Sequence, residues 1–335
     1  MLGGMDPHSL PLIAAAEGPH LRAAASAAAE GLFDSLPEPR AVVLITNESR
    51  ARLAAEAVIA LATDARAPIT IARSLPRFVG ALDLVFVLTD DPGDPIAEVL
   101  AEADRRGAAT VLIDPGEGPV RAAASPRTVV VPRPALSAAG SFCGYLGAVL
   151  GALTAARVTA LGPAAVLGDV ADAVDAEAVA CAPDRDLLVN PARQWAEWMR
   201  GHAVVIAGEG DAWRTVAELA AAWLLDAGVP AHGTTVSDML RASVALAPSP
   251  EAALGDLFHD PLIDGPADGG RMLPLSVIAV TSPADAPAVR ARLEPFDWAR
   301  VECPAEEVEV RHPLVDVCVT AARVAAAAAY VPEEG

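Results

Sequence analysis

The residues best placed to do chemistry in this chain lie where a hydrophobic run turns into a helical pattern. The stretch FVLTDDPGDP, residues 86–95, combines Thr89 and Gly93 with three aspartates. In α/β proteins such a turn often holds an anion at the N-terminus of the helix. Carboxylates about 4 Å from a phosphate repel it by about 1 kcal/mol per charge pair even in water. We therefore expect Asp94 to cap the helix, and the other aspartates to favour its positive end, in preference to phosphate binding.

A second turn of this kind follows the hydrophobic run AVVLIT at residues 41–46. Its neutral polar side chains are those of Thr46, Asn47 and Ser49, and Arg50 or Arg52 could reach an anion. Ser49 is also suited to begin the next helix, and arginines are common on helix surfaces. A ligand-binding role and a structural role are both open for this turn.

The stretch GEGDAW, residues 208–213, also links a hydrophobic run to a helical pattern. Gly208 and Gly210 resemble half of the GxGxxG pattern of dinucleotide sites, but Trp213 replaces the third glycine. Dinucleotide binding is therefore not expected, whereas a glycine turn that approaches another small ligand stays open. The glutamate and the aspartate in this stretch make the turn acidic.

The composition argues against several classes of function. The 335 residues carry a formal net charge of −20 with a pI near 4.6, so a nucleic-acid footprint is not expected. All 24 basic residues are arginine, which rules out a Schiff-base lysine, a P-loop lysine and a lysine general base.

The four cysteines are far apart and show no zinc-like spacing. Neither a metal nor a cofactor is predicted.

The hydrophobic content is high, at 53% of residues with a mean hydropathy of +0.38, and it is sufficient for a large core. Charged residues interrupt the apolar stretches before they reach the roughly 18 residues of a membrane span. No signal-peptide pattern opens the chain. We therefore expect a cytoplasmic protein with no membrane partner.

Hydrophobic runs alternate with helical patterns twice along the chain, which is typical of βαβ units and a parallel sheet. The predicted strands lie at 41–46, 67–72, 84–89, 108–114, 128–132, 202–208, 229–233, 273–281 and 297–303. The predicted helices lie at 8–35, 48–62, 94–106, 135–180 with a break near 162, from 191 onwards after an Asn190 cap, 211–226, 284–293 and 314–329. The pattern predicts two α/β domains of similar topology.

Three stretches resemble a known family: LVFVLTDDPGDPIAEVLAEADRRGAATVLID, NPARQWAEWMRGHAVVIAGEG and AAAWLLDAGVPAHG. Their order is similar to a tandem pair of SIS (sugar isomerase) domains, and especially to the bifunctional phosphoglucose/phosphomannose isomerase family and its actinobacterial relatives. The resemblance implies two doubly wound SIS-like domains, each a parallel β-sheet flanked by helices. The predicted parts are N-terminal helices at 1–38, a first domain at 39–160, connecting helices at 161–200 and a second domain at 201–335.

The resemblance also implies a set of substrate-binding residues. In the family a loop rich in serine and threonine, and a glycine-rich turn, hold the sugar phosphate. The present chain departs from both patterns, because aspartates replace most of the hydroxyl residues and TNES replaces the glycine turn. The substrate-binding candidates are Thr46, Asn47, Ser49, Thr89, Gly93, Gly208 and Gly210.

Catalysis in the family requires a carboxylate base that moves a proton between C1 and C2, and a histidine that helps to open the sugar ring. The aligned run LLDAGVPA places Leu225 at the base position, with Asp226 next to it. In SDMLRASVAL, Asp238 stands for the family's acid, but no histidine follows. His232 is the candidate for ring opening. A structural role is the competing interpretation for all three candidates.

Two functional hypotheses follow. In the first, the chain is a SIS-fold protein related to sugar-phosphate isomerases that binds a phosphosugar or another carbohydrate derivative, with catalysis lost or weak. In the second, it is an active phosphoglucose/phosphomannose isomerase that uses Asp226 or Asp238 as base and His232 for ring opening. A structural interaction protein without a sugar ligand is a third class. The resemblance further implies a homodimer.

Overall fold

The first half of the chain builds a five-stranded parallel sheet. The computed structural model describes residues 10–91, 95–113, 117–132, 134, 140–246, 273–304 and 312–332. The strand order of the first sheet is β2-β1-β3-β4-β5. Its strands are β1 (Ala41–Ile45), β2 (Ile69–Ala72), β3 (Asp83–Leu88), β4 (Ala109–Ile113) and β5 (Val129–Val131).

The second half repeats this arrangement with four parallel strands. Their order is β7-β6-β8-β9, so the first strand of each half again lies between the second and the third. The strands are β6 (Ala203–Gly208), β7 (Ala231–Thr235), β8 (Leu275–Val280) and β9 (Ala299–Glu302). The strand order reverses between β1 and β3 and between β6 and β8, which is where open α/β sheets usually bind ligands.

Helices cover both faces of each sheet. In the first half they are α1 (Leu10–Ala15), α2 (Glu17–Ala29), α3 (Ser49–Leu61), α4 (Ala97–Arg105), α5 (Pro119–Ala122) and α6 (Phe142–Ala155). The helices α7 (Ala164–Ala180) and α8 (Pro191–Met199) connect the halves. The second half contributes α9 (Asp211–Asp226), α10 (Val236–Leu246), α11 (Ala286–Leu293) and α12 (Pro313–Tyr330).

The α/β fold class and the two parallel sheets flanked by helices are confirmed. Most strand bounds agree within two residues, and Asn190 caps α8 as predicted, because its side chain accepts from the backbone N–H of Arg193. Two helices were not predicted, namely the short α5 and the eleven-residue α10. The predicted helical tract 135–180 consists of α6 and α7, and the predicted break near residue 162 lies between them. The Asp94 cap lies outside the described residues.

One hydrophobic core joins the inner faces of the two sheets through the helices between them. It contains Leu84 and Phe86 of β3 as well as Ile278 and Val280 of β8. Two smaller clusters cover the outer faces, one against α4 and the other against α10 and α11. The central strands β3 and β8 are buried along their whole length, as expected for parallel sheets covered on both faces.

The helices α3 and α9 pack antiparallel between the two halves. Arg50, in the first turn of α3, pairs with Asp226, the last residue of α9, at 2.5 Å. The Arg50 guanidinium also lies 4.0 Å from the ring centroid of Trp223. Further along the pair, Arg214 near the start of α9 contacts Glu56 of α3 at 3.1 Å. Because α3 begins where α9 ends, the carboxyl ends of the two sheets point in opposite directions.

Helix α12 is the one described helix that is long and apolar enough to cross a membrane. However, 78% of that stretch is buried inside the protein, where it packs against α7, α8 and α9. Its burial is that of a core helix. The apolar sequence of α12 is therefore explained by packing within the fold.

Helix α9 lies unusually close to the second sheet because two strand residues in the contact have no side chain. A Cβ atom at Gly208 would come within 2.2 Å of the backbone carbonyl of Trp213, and one at Gly233 would meet the Cα of Glu218 at 2.5 Å. The obstructing atoms belong to the backbone, so a rotamer change cannot relieve either contact. Gly208 is thus required by helix packing.

Gly208→Ala is therefore expected to lower the free energy of unfolding by about 2–3 kcal/mol, because α9 must move away from the sheet. The measurement is a urea unfolding curve followed by circular dichroism. Gly168→Ala in α7 is the matched control, because a Cβ there meets nothing within 4 Å. It should raise the stability by about 0.5–1 kcal/mol. Equal stability of Gly208→Ala and the native protein would contradict the close-packing argument.

Candidate functional site

The loops after β1 and β3 meet at the carboxyl end of the first sheet and form what we call the first corner, residues 46–48 and 89–91. Glu48 immediately precedes α3, and its Oε1 accepts hydrogen bonds from the hydroxyl of Thr89, from the N–H of Asp90 at 2.7 Å and from the N–H of Asp91 at 3.2 Å. Two backbone donors and one hydroxyl thus converge on a single carboxylate oxygen. In arrangement and chemistry, this is a binding site for an oxyanion that the chain fills with its own side chain.

The other polar residues at the first corner belong to the turn between β1 and α3 that carries Glu48. The Thr46 hydroxyl is buried and accepts from the N–H of Glu48 at 3.1 Å. Asn47 and Ser49 are exposed, and Ser49 is the first residue of α3. Of the predicted binding residues here, Thr89 donates to the internal carboxylate, Thr46 bonds the backbone of Glu48, and Gly93 lies outside the described residues.

A second internal carboxylate lies behind the first corner, at the N-terminus of α6. Glu17 is 1% exposed and accepts from the hydroxyl of Ser141 at 2.7 Å and from the N–H of Cys143 at 2.7 Å. The Asp90 carboxylate accepts from the N–H of Gly140, just before this helix. The loop after β3 and the start of α6 are therefore linked by carboxylate acceptors, which suit the positive end of a helix.

The arginines near the first corner are engaged between the halves of the protein. Arg50 is only 14% exposed in its side chain and pairs with Asp226. Arg52 pairs with Glu56 on its own helix and approaches Glu218 on α9 at 3.6 Å. Both arginines therefore join the two halves of the protein and are not positioned to hold an external anion.

The loops after β6 and β8 form the corresponding second corner, residues 208–210 and 281–282. Gly208 is buried under α9, while Gly210 precedes the helix with a φ of 85° and has open space where a side chain would lie. Glu209 pairs with Arg292 of α11 at 2.9 Å. Arg292 also donates to the Ser237 hydroxyl at 3.2 Å. One arginine thus neutralises part of this acidic corner.

The three catalytic candidates lie in three different settings. Asp226 is paired with Arg50 at the end of α9. The Asp238 carboxylate accepts from the Thr235 hydroxyl at 2.7 Å and pairs with Arg241, which makes it part of the cap of α10. His232 is exposed on the edge strand β7, opposite Val205 in the register.

These candidates are separated by the length of a strand. Asp226 precedes β7, and Asp238 follows it. A five-residue strand spans about 16 Å, so the two carboxylates lie at opposite ends of this strand. Within the described ranges, no group of three or more histidine, cysteine or acidic side chains could hold a metal ion.

Two features of the site were not predicted from the sequence. Glu48 is not among the predicted site residues because it lies between the neutral residues of the TNES turn, although its position at the start of a helix after a strand is a usable signal. The second feature is Thr281, which follows β8 as Thr89 follows β3. Both threonines are fully or almost fully buried.

Comparison with solved structures shows which known proteins share this fold. No protein-family model matches the chain, and no curated protein matches it in sequence. Tagatose-6-phosphate ketose/aldose isomerase from Escherichia coli superimposes with a TM-score of 0.59 at 12% identity, over 97% of this chain and 90% of that one. The chain has a SIS-like fold.

Two other solved structures agree over almost the whole length. The C-terminal domain of glucosamine-fructose-6-phosphate aminotransferase from Francisella tularensis gives a TM-score of 0.58 at 12% identity, over 95% of this chain and 94% of that one. A protein provisionally assigned as a phosphosugar isomerase from Silicibacter pomeroyi gives 0.59 at 16% identity, over 95% of each chain. At these identities the likeness establishes the fold alone.

Glu48→Ala should open the first corner and remove the acceptor that the Thr89 hydroxyl and the N–H groups of Asp90 and Asp91 share. We expect the free energy of unfolding to fall by about 1–3 kcal/mol, the usual cost of unsatisfied buried polar groups. Added formate or acetate should restore part of the loss in proportion to its occupancy of the vacated space. The measurement is the melting temperature at constant ionic strength, with Glu48→Gln, which keeps an acceptor oxygen, as the control. The same response to acetate in both variants would contradict the interpretation that the Glu48 carboxylate fills an oxyanion site.

Glu17 allows a prediction of pH dependence. Burial raises the pKa of Glu17 above its ordinary value of 4.5, although the Ser141 hydroxyl and the Cys143 N–H act in the opposite direction. The folded chain then binds more protons than the unfolded chain, so this contribution to stability is largest below pH 4.5 and is lost as the pH rises through the raised pKa.

Glu17→Gln removes this titration. The stability of the variant minus that of the native protein should therefore increase between about pH 4 and pH 8, as measured by urea unfolding at a series of pH values. Glu38→Gln, at an exposed position, serves as the control. A difference that stays constant or decreases with pH would be inconsistent with a raised pKa.

Proposed function

We propose that this chain binds a carbohydrate derivative and does not isomerise it. The SIS-like fold is shared with solved proteins whose names assign them to sugar-phosphate chemistry. The observation that carries the loss of turnover is the internal carboxylate of Glu48, which occupies the convergent donors of the first corner. A sugar phosphate that entered this corner would have to displace that carboxylate and approach Asp90 and Asp91.

The positions of the candidate acid and base groups support the same proposal. Aldose–ketose isomerisation needs a base within about 3 Å of the proton it removes, directly or through one water molecule. Asp226 is engaged with Arg50, and Asp238 is engaged in a helix cap beyond the opposite end of β7. Neither carboxylate shares a site with the other, and His232 is directed to solvent.

The competing function is that of an active phosphoglucose/phosphomannose isomerase, which the likeness to solved isomerases favours. In that case Asp226 or Asp238 would act as base and His232 would assist ring opening. Such a site would require Asp226 to leave Arg50, or Asp238 to leave Thr235 and Arg241. Each separation would break an ion pair seen in the structure.

We further propose that the protein is a cytoplasmic homodimer. The support for self-association is an exposed apolar patch where α7 ends and the connection to α8 begins. Val179, Leu188 and Val189 expose 66%, 83% and 58% of their surface there. Light scattering after size exclusion would test the dimer, and Leu188→Glu should shift the protein towards monomer.

Coupled assays with fructose 6-phosphate, glucose 6-phosphate and mannose 6-phosphate should show no turnover above background. The same panel of sugars and their uncharged parents, used in thermal-shift titrations, should contain at least one stabilising ligand. Asp226→Asn should lower the melting temperature, because it weakens the Arg50 ion pair, without altering the background rate. Turnover that Asp238→Asn or His232→Ala abolishes would establish the isomerase instead. A panel without any stabilising carbohydrate would favour the interaction protein.

A further inference from the structure

The two corners correspond residue by residue. Ile45 pairs with Val87 in the first sheet, and Ala207 pairs with Ala279 in the second. Three residues after the first member of each pair stand Glu48 and Gly210, each of which immediately precedes the helix of its half. The second corner thus has a glycine where the first corner has its internal carboxylate.

The threonine that binds this carboxylate also has a counterpart. Thr89 stands two residues after Val87, and Thr281 stands two residues after Ala279. The Thr89 hydroxyl donates to Glu48, whereas the Thr281 hydroxyl is fully buried and has no hydrogen-bond partner among the residues that the structure describes. A buried hydroxyl without a partner is costly, and such groups call for a specific explanation.

The backbone around Thr281 offers further donors. Helix α9 has 16 residues, and within the described part of the chain no side chain caps its N-terminus at Gly210. The N–H of Ser282 corresponds to that of Asp90 at the first corner, while Pro283, in the place of Asp91, has no N–H. The uncapped N-terminus of α9 and the loop that carries the buried Thr281 hydroxyl therefore belong to the same corner, and a Cβ at Gly210 would meet no described atom within 4 Å.

We propose that the second corner binds the carboxylate group of a small ligand, with the Thr281 hydroxyl, the Ser282 N–H and the first turn of α9 as donors. The first corner shows that this arrangement accepts a carboxylate. Glu209 belongs to the second corner and is neutralised by Arg292, while Asp211 follows as the first residue of α9. A singly charged carboxylate is repelled less than a phosphate dianion in these surroundings.

This inference rests on the proposed function in one respect, because carbohydrate binding makes a sugar acid the expected ligand class. D-glucuronate is a suitable probe, with D-glucose as its uncharged match and glucose 6-phosphate as the dianionic alternative. At constant ionic strength, glucuronate should raise the melting temperature of the native protein, and glucose should not. Tighter binding of glucose 6-phosphate than of glucuronate would overturn the preference for a single charge.

Thr281→Val is the decisive variant because it keeps the shape of the side chain and removes the hydroxyl. The protein without ligand should be at least as stable as the native protein, since it loses an unsatisfied group. Its affinity for glucuronate, measured by calorimetry, should be roughly tenfold or more weaker, as expected for loss of a hydrogen bond to a charged group. Thr89→Val is the matched control, which should lower stability but leave glucuronate affinity unchanged.

The outcomes separate this site from the proposed function. Glucuronate binding of equal affinity in the native protein and in Thr281→Val would overturn the second-corner site while carbohydrate binding stands. Formate or acetate binding that depends on Thr281, with no response to any carbohydrate, would support the site and contradict the proposed function. No response to any oxyanion would overturn the site.

Discussion

The hydrogen bonds to the Glu48 carboxylate are the interaction on which the first half of the structure depends. Buried backbone N–H groups need acceptors, and the loop after β3 finds its acceptor in a side chain from the loop after β1. The same loop is tied through Asp90 to the segment before α6, whose N-terminus receives Glu17. Some of the carboxylates that give the chain its strong negative charge thus have an internal role. They accept hydrogen bonds from N–H and hydroxyl groups that would otherwise face solvent or a ligand.

Arginine has the complementary role between the two halves. The planar guanidinium of Arg50 stacks on Trp223 and pairs with Asp226 at the same time, which a lysine ammonium does less well. Arg214 extends the contact to Glu56 on α3 and Glu218 on its own helix. The arginines close to the first corner are therefore engaged in joining α3 to α9, and the corner itself is completed by carboxylates.

Much of the fold could be predicted from local sequence, because buried parallel strands are nearly continuous apolar runs. The AVVLI and LVFVL runs and the helix at 211–226 agree closely with the structure. The strand around His232 was placed two residues too early, since β-branched Thr234 and Thr235 extend it and Pro230 cannot donate to the ladder. Helix α10 was missed because that stretch was interpreted only through its resemblance to a catalytic motif.

The site was less predictable because its contacts join distant parts of the chain. Glu48 and Asp90 are 42 residues apart, and a residue type alone does not reveal which donors a glutamate will reach. The acidic character of the turn after β3 was apparent from the sequence, but the carboxylate at its centre comes from another loop. The unsatisfied hydroxyl of Thr281 becomes visible only when burial and hydrogen bonding are known together.

The antiparallel packing of α3 and α9 has a consequence for how such a protein can evolve. The two corners face away from each other, separated by roughly the 24 Å length of the sixteen-residue helix α9. A replacement that closes one corner therefore exerts no steric pressure on the other. In a chain built from two similar halves, this geometry allows the corner of one half to take a purely structural role. The corner of the other half can then acquire a new binding specificity independently.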